Sequence, residues 1–355
     1  MTEDVLFPAS VVGSMPRPDD VLDLVMGGLE ISQEEHDRRM DDAIRGIVAL
    51  QEDAGLDVVT DGEWRRRSYI GVIAELADGF ELSTNPADGR PWTIVVDKLA
   101  MTDSSFIADE VEFVKGITDR KIKATLPSPA LLGERMWDET ASGAAYPNRD
   151  DFVLDCVPVL RRQLELLQGA GADIVQIDDP HLCLFVDEEV RGGYDDPDRA
   201  ADFAVDAVNA MVDGISGVTL ALHLCRRAGA RVRGEESHSG SYDLIVEQLN
   251  RLHVQHITME FTDPESCDPS VFGRLREDLE IGLGCVNVTP GLVDAPETIV
   301  QRVKAAMLHL RKERITLNPD CGFAPGSGAR VSIDEVQQKL INQVAAARTL
   351  RAEFA

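Results

Sequence analysis

Eight short runs rich in Val, Ile and Leu, each closing on polar residues and most followed by a longer amphipathic stretch, constrain this chain more than any other feature. They end near Ser14 (ASVVGS), Glu63 (LDVVTDGE), Pro127 (KIKATLP), Asp179 (DIVQIDD), Cys225 (LALHLC), Glu260 (HITME), Val288 (IGLGCVNV) and Asp320 (RITLNPD). Helical periodicity fills the stretches between, at Ser32 to Ala54, Phe152 to Gly169, Asp198 to Gly214, Ser241 to Arg251, Ala295 to Glu313 and Ile333 to Arg351. Such alternation is the pattern of parallel βα units. Eight of them in 355 residues, with no Gly/Ser-rich or Pro-rich linker to divide them, predict an α/β fold of the TIM (β/α)8 barrel type, a single domain over residues 1–355. A further strand, Trp92 to Leu99, follows the loop STNPADGRP and is expected as a small excursion after the second βα unit. A doubly wound sheet is the rival architecture, but no GxGxxG or GxxxxGKS stretch supports it. The Gly-rich GFAPGSG at 322–328 could cradle an anion, with a plain loop the simpler reading.

Composition narrows the functional classes. A chain with 44% hydrophobic and 28% charged residues can bury a large core. Its formal charge of -28 would repel nucleic acid and anionic membrane, which attract proteins through clustered Lys and Arg. No apolar run approaches the roughly 18 residues of a membrane span. The acidic start, Met-Thr-Glu-Asp, is unlike a secretory signal, so a cytoplasmic location is expected and the six cysteines read as thiols.

In a barrel, side chains at the C-terminal ends of the strands share one mouth whatever their separation in sequence. Ser14, Glu63, Asp178, His223, Cys225, Glu260 and Cys321 all fall there. His223 and Cys225 are two apart on a strand and so project to one face. With Glu260 and Cys321 they could converge on one ion, and imidazole plus two thiolates selects Zn²⁺ over oxygen-seeking magnesium or calcium. Taken singly, each has a plainer role, since a buried Cys is usually a small apolar filler and a strand His a hydrogen-bonded core residue. Cys156, Cys183, Cys267 and Cys285 lack such partners and read as structural.

VGSMPRP, DGEW, QIDDP, HLC, TME and NPDCG occur in the order found in cobalamin-independent methionine synthases. The chain resembles the catalytic C-terminal barrel of that family, and more closely its short single-barrel relatives, over nearly its whole length. The resemblance implies zinc-dependent methyl or alkyl transfer to a thiol, homocysteine giving methionine first of all. It makes His223, Cys225, Glu260 and Cys321 the zinc ligands, gives the substrate amino group to Glu63 and Asp178, and its carboxylate end to Val12, Gly13 and Ser14. Those acids could instead cap helices or pair with Arg65, Arg66 and Arg67. Asp179 stands where the family's IDEP commonly has Glu. Two thiolates and a carboxylate would bring Zn²⁺ to a net charge of roughly -1, which suits a nucleophilic sulfur better than acidified water. Alkyl transfer to a coenzyme M-type thiol and a non-catalytic zinc or thiol-binding barrel are the alternatives.

At the seventh strand the family's D-I-H-S-P stretch carries a His proposed as proton donor, whereas Thr289 stands near that position here. Thr is no comparable acid, and the expected donor is therefore one more activated than free methyltetrahydrofolate, such as a methylcorrinoid or corrinoid protein, a sulfonium or a strained electrophile. His181, just past QIDDP, is the candidate catalytic acid in its place.

Overall fold

A computed structural model describes residues 5–27, 29–84, 91–226, 238–262, 268–324 and 331–354. Seven parallel strands form one curled sheet in the order β1 (Val58–Val59), β4 (Lys121–Pro127), β5 (Ile174–Asp178), β6 (Thr219–Leu224), β7 (His256–Glu260), β8 (Glu280–Val286) and β9 (Ile315–Pro319). Between β1 and β4 the chain makes a separate antiparallel pair, β2 (Ala77–Thr84) with β3 (Pro91–Met101). The strand expected at 92–99 is thus one half of a two-stranded unit. Part of the Gly-rich 322–328 segment lies outside the described residues.

The first run never becomes a full strand, for a reason visible in its hydrogen bonds. Ala9 bridges Leu317 of β9 in parallel, and its carbonyl accepts from Asp57 N at 2.9 Å beside β1, so the segment touches both edges of the curled sheet. Beyond it, side chains replace a ladder. Gln343 donates to the Ser10 carbonyl at 2.8 Å, Lys123 to that of Val11 at 2.6 Å and Gln176 to that of Val12 at 3.0 Å. The second run is cut short in the same way. Gln51 clasps both backbone groups of Thr60, at 3.0 and 2.8 Å, so β1 stops at Val59 and Glu63 lies in the turn beyond it.

Helices cover the outer face. The helix Gln33–Ala54 begins at Ser32, whose hydroxyl accepts from Glu35 N, and buries Met40, Ile44, Ile47, Val48, Gln51 and Ala54 at helical spacing. Arg149–Ala170 packs against Phe106–Lys115 and Pro197–Val212. Two expected helices are shorter than their periodicity. The 241–251 stretch divides into a 3-10 turn, Tyr242–Ile245, and Val246–Arg251, and the 295–313 stretch ends at Ala306 before a second 3-10 turn at Lys312–Arg314. Among the described residues no helix is long and apolar enough to cross a membrane.

Strand alternation sends Ile122, Ala124 and Leu126 toward the helices, and Lys123 and Thr125 inward, where Gln176, His256, Thr258 and Asn318 are also buried. The core enclosed by the sheet is therefore unusually polar. Burial pushes His256 down to about 3 and holds it neutral. Room inside is tight, because a Cβ at Gly284 of β8 would lie 2.5 Å from the Met259 carbonyl oxygen and 2.8 Å from Asp320 Oδ1. Gly284→Ala is expected to destabilise the fold by about 1–3 kcal/mol in urea denaturation. An unchanged midpoint would show that β7, β8 and β9 separate freely there.

Candidate metal and substrate site

Three ligand atoms meet at the C-terminal ends of β6 and β9. His223, Cys225 and Cys321 each offer one donor, and these atoms all lie within 4.8 Å of one another in a buried cup. The two sulfurs are 3.2 Å apart. Imidazole Nδ1 of His223 bonds Asp178 Oδ1 at 2.9 Å, while Nε2 is buried without a hydrogen-bond partner. An orphaned ring nitrogen facing two sulfurs fits a soft divalent cation, and the donor set fits zinc. Left to themselves, the contact with Cys225 and burial push the Cys321 thiol well above its usual range; a cation in the cup favours the thiolates instead.

Asp320 sets the position of Cys321. Its Oδ1 accepts from Phe261 N at 3.0 Å and Thr262 N at 3.1 Å, and its Oδ2 accepts from the Thr262 hydroxyl, pinning the end of β9 to the residues after β7. Glu260, the fourth expected ligand, ends β7 but falls outside the trio. Its Oε1 accepts the Arg226 amide at 2.9 Å.

Residues expected at the substrate, Ser14 and Glu63 among them, lie beside this cup. Gly322, next to Cys321, faces Ser14, whose carbonyl accepts from Phe323 N at 2.9 Å. A Cβ on Gly13 would lie 2.6 Å from Glu63 Oε1, so only glycine allows that carboxylate so near the backbone. Glu63 itself sits at φ 60°, a conformation side chains rarely adopt. It is held there from several directions. Its amide donates to Asp61 Oδ1 at 3.0 Å, Thr125 Oγ1 donates to its Oε1 at 2.8 Å, and Arg17 donates to its carbonyl. Arg66 bonds Thr125 through Nη1 at 2.9 Å and grips Glu110 at 2.7 Å, with both partners buried. Of the three arginines weighed as partners for the site acids, Arg66 takes Glu110 and Arg65 takes Asp41, and the Glu63 carboxylate is linked to Arg66 through Thr125. Burial raises the Glu63 carboxyl above its usual range.

Asp178, expected at a substrate amine, is engaged within the protein. One oxygen, Oδ1, accepts from both His223 Nδ1 and Gln176 Nε2, the latter at 2.9 Å, and neither bond uses Oδ2. Asp179 caps the helix Pro180–Leu184, its Oδ1 accepting from Leu182 N at 2.8 Å. His181 is buried within that short helix against Phe185 and Tyr194, and burial pushes it down to about 4, so the ring is neutral in ordinary buffers. Thr289 donates its amide to Asn287 Oδ1 at 2.8 Å. Three residues escaped the sequence reading. Lys123 and Gln176 are recognisable afterwards as polar residues inside otherwise apolar strand runs. Tyr69, partly buried, lies within electrostatic reach of Cys225, Asp178 and Cys321, and nothing in RRRSY marks it.

A family model described as cobalamin-independent synthase, catalytic domain, matches residues 7–349. The chain is similar to the methionine synthase of Sulfurisphaera tokodaii, 27% identical over 365 residues that cover 100% of this chain and 95% of the relative. It is similar also to that of Pyrococcus furiosus, 28% identical over 361 residues covering 98% and 94%. Among solved structures, a B12-independent methionine synthase from a Shewanella species, in complex with selenomethionine, superposes with a TM-score of 0.81 over 98% of this chain and 99% of that one. At 20% identity that likeness shows the fold.

Proposed function

The chain belongs to the family of cobalamin-independent synthase catalytic domains, and from that premise we propose that it methylates the sulfur of homocysteine at a zinc ion held by His223, Cys225 and Cys321. The observation that carries the proposal is the convergence of those three ligand atoms within 4.8 Å, with the His223 Nε2 lone pair left unused by the protein. Glu260, beside the trio on β7, would complete the ligand set, although its Oε1 already accepts the Arg226 amide at 2.9 Å. When bound, zinc supplies a Lewis acid that keeps a thiol in its nucleophilic thiolate form near neutral pH.

The protein's own residues hold the amino acid. Glu63 and the unused Oδ2 of Asp178 form an acidic pocket for the ammonium group, and Val12, Gly13 and Ser14 line its carboxylate end. Preorganisation is the main contribution of this pocket, since Glu63 is already fixed by Thr125 and Asp61 before a ligand arrives. In the transfer, a sulfur–carbon bond forms as the bond from the methyl group to the donor breaks, and the donor keeps the electron pair. A donor with a poor leaving group then needs a proton. Neither Thr289 nor the neutral His181 supplies a ready one, so the chain is suited to an activated donor such as a methylcorrinoid or a sulfonium. In that role the corrinoid is a substrate and not a resident cofactor.

Purified protein is expected to carry close to one zinc per chain by elemental analysis, and Cys321→Ser or Cys225→Ser to lose most of it. Full zinc in either folded variant would refute the ligand set. Glu63→Gln should leave zinc in place and cost about 1.5–3 kcal/mol of homocysteine binding, roughly tenfold to a hundredfold in Kd, while mercaptoethanol, which has no amino group, binds unchanged. Asp178→Asn should weaken both ligands, because the same side chain orients His223. Equal losses of homocysteine and mercaptoethanol in Glu63→Gln would show that Glu63 organises the cup and does not read the substrate.

Initial rates at one homocysteine concentration compare donors directly. Methylcobalamin is expected to outpace free methyltetrahydrofolate by on the order of 10²-fold or more, the usual worth of a missing general acid. Faster turnover with the folate would sink this assignment, and its disappearance in His181→Ala would identify His181 as the acid.

A further inference from the structure

The buried polar groups beneath the cup form one connected path that ends on His223. Lys123 stands in mid-strand on β4, only 3% exposed, where an apolar side chain would carry no desolvation cost. Burial pushes its ammonium down to about 7. Its Nζ donates to the Val11 carbonyl at 2.6 Å and to Gln176 Oε1 at 3.1 Å. With Nζ as the donor, the Gln176 amide turns its oxygen to Lys123 and its NH₂ away. That NH₂ donates to the Val12 carbonyl at 3.0 Å and to Asp178 Oδ1 at 2.9 Å. Asp178 Oδ1, being an acceptor only, must then receive the proton on His223 Nδ1, 2.9 Å away. With that proton on Nδ1, Nε2 is left as a lone pair directed at the two sulfurs.

We propose that Lys123 and Gln176 are positioning residues that set the tautomer and orientation of the metal-ligating His223 and, through the Val11 and Val12 carbonyls, hold the substrate-side segment in register with it. The inference rests on the zinc reading above. Neither residue is a ligand or meets the reacting atoms; both act through Asp178. A single relay therefore serves both halves of the site, since Val12 leads directly into Gly13 and Ser14. If Lys123 and Gln176 did no more than satisfy two backbone carbonyls, losing them would lower stability and leave the metal's surroundings alone.

Zinc affinity, by competition with a chromogenic chelator, and the visible spectrum of the cobalt(II)-substituted protein separate these cases. They are measured on the full chain carrying Gln176→Leu, Gln176→Glu or Lys123→Met. Each folded variant is expected to bind zinc about 10- to 100-fold more weakly, the usual effect of losing a partner behind a ligand. The cobalt d–d bands should shift, while thiolate-to-cobalt charge transfer persists because both cysteines remain. The double variant Lys123→Met/Gln176→Leu should be no weaker than Gln176→Leu alone, as for two members of one chain of contacts. Unchanged affinity and spectra in the folded variants overturn the relay, and so does a fully additive loss in the double variant. Gln176→Glu has the shape of the native side chain but lacks the NH₂ donor, which keeps the test open should the apolar variants fail to fold. A wild-type chain that takes up no zinc overturns the metal reading and the relay with it, whereas zinc-binding wild type with indifferent variants overturns the relay alone.

Discussion

The hydrogen bond from His223 Nδ1 to Asp178 Oδ1, 2.9 Å long, is the contact on which the site depends. It occupies Nδ1 and leaves Nε2 as the ring nitrogen without a hydrogen bond, and it ties the cup to the polar core through Gln176 and Lys123. Buried polar groups are stable only when each finds a partner, so the inward-facing residues form a chain of obligations. A metal ion in the cup would complete that chain at His223 Nε2, which has no hydrogen-bond partner of its own. The same need for completion explains why Ser10, Val11 and Val12 are bonded by side chains: a first segment with no full strand ladder must have its carbonyls satisfied from the core.

Charge is organised around this cup on two scales. Nearby, the buried Arg66–Glu110 pair holds Thr125, and Thr125 holds Glu63, so a cation steadies the Glu63 carboxylate through an intervening hydroxyl. A Glu63 carboxylate held by a hydroxyl and not by a direct cation suits the proposed ammonium pocket, and its left-handed backbone shows that the surrounding bonds impose its position. At long range, a chain with 63 acidic and 35 basic residues attracts cations and small zwitterions more readily than polyanions.

Much of the architecture was legible in the residue pattern. Period-two strand runs and period-3.6 helices located seven of the eight expected staves and most helices to within a few residues, because burying one face of each element forces that periodicity. The departures have local causes. The first run lost its ladder to Gln343, Lys123 and Gln176, and the second was cut short by Gln51, in each case a side chain from elsewhere taking a bond that periodicity assigns to a neighbouring strand. The 241–251 and 295–313 stretches kept their apolar spacing while the backbone tightened into 3-10 turns, a change that spacing does not register.

For the site, residue types and strand-end positions were enough to pick out His223, Cys225 and Cys321 as a group that could hold a metal. A His and two Cys at the ends of parallel strands must share a mouth, and imidazole with thiolates has few uses there besides a soft metal. Which atom of which residue does what was decided by tertiary structure alone. Asp178 was expected at a substrate amine, yet one of its oxygens belongs to His223; Asp179, in doubt from the sequence, caps a helix; and Glu260 stands beside the ligand trio with its carboxylate on Arg226. Lys123 carried no motif, and Gln176, though it opens QIDDP, was given no role there. Sequence determines which groups are present and, through periodicity, which face each one takes. The partner of a buried polar group is set by distances of about 3 Å between strands far apart in the chain, and those distances exist only once the sheet has curled.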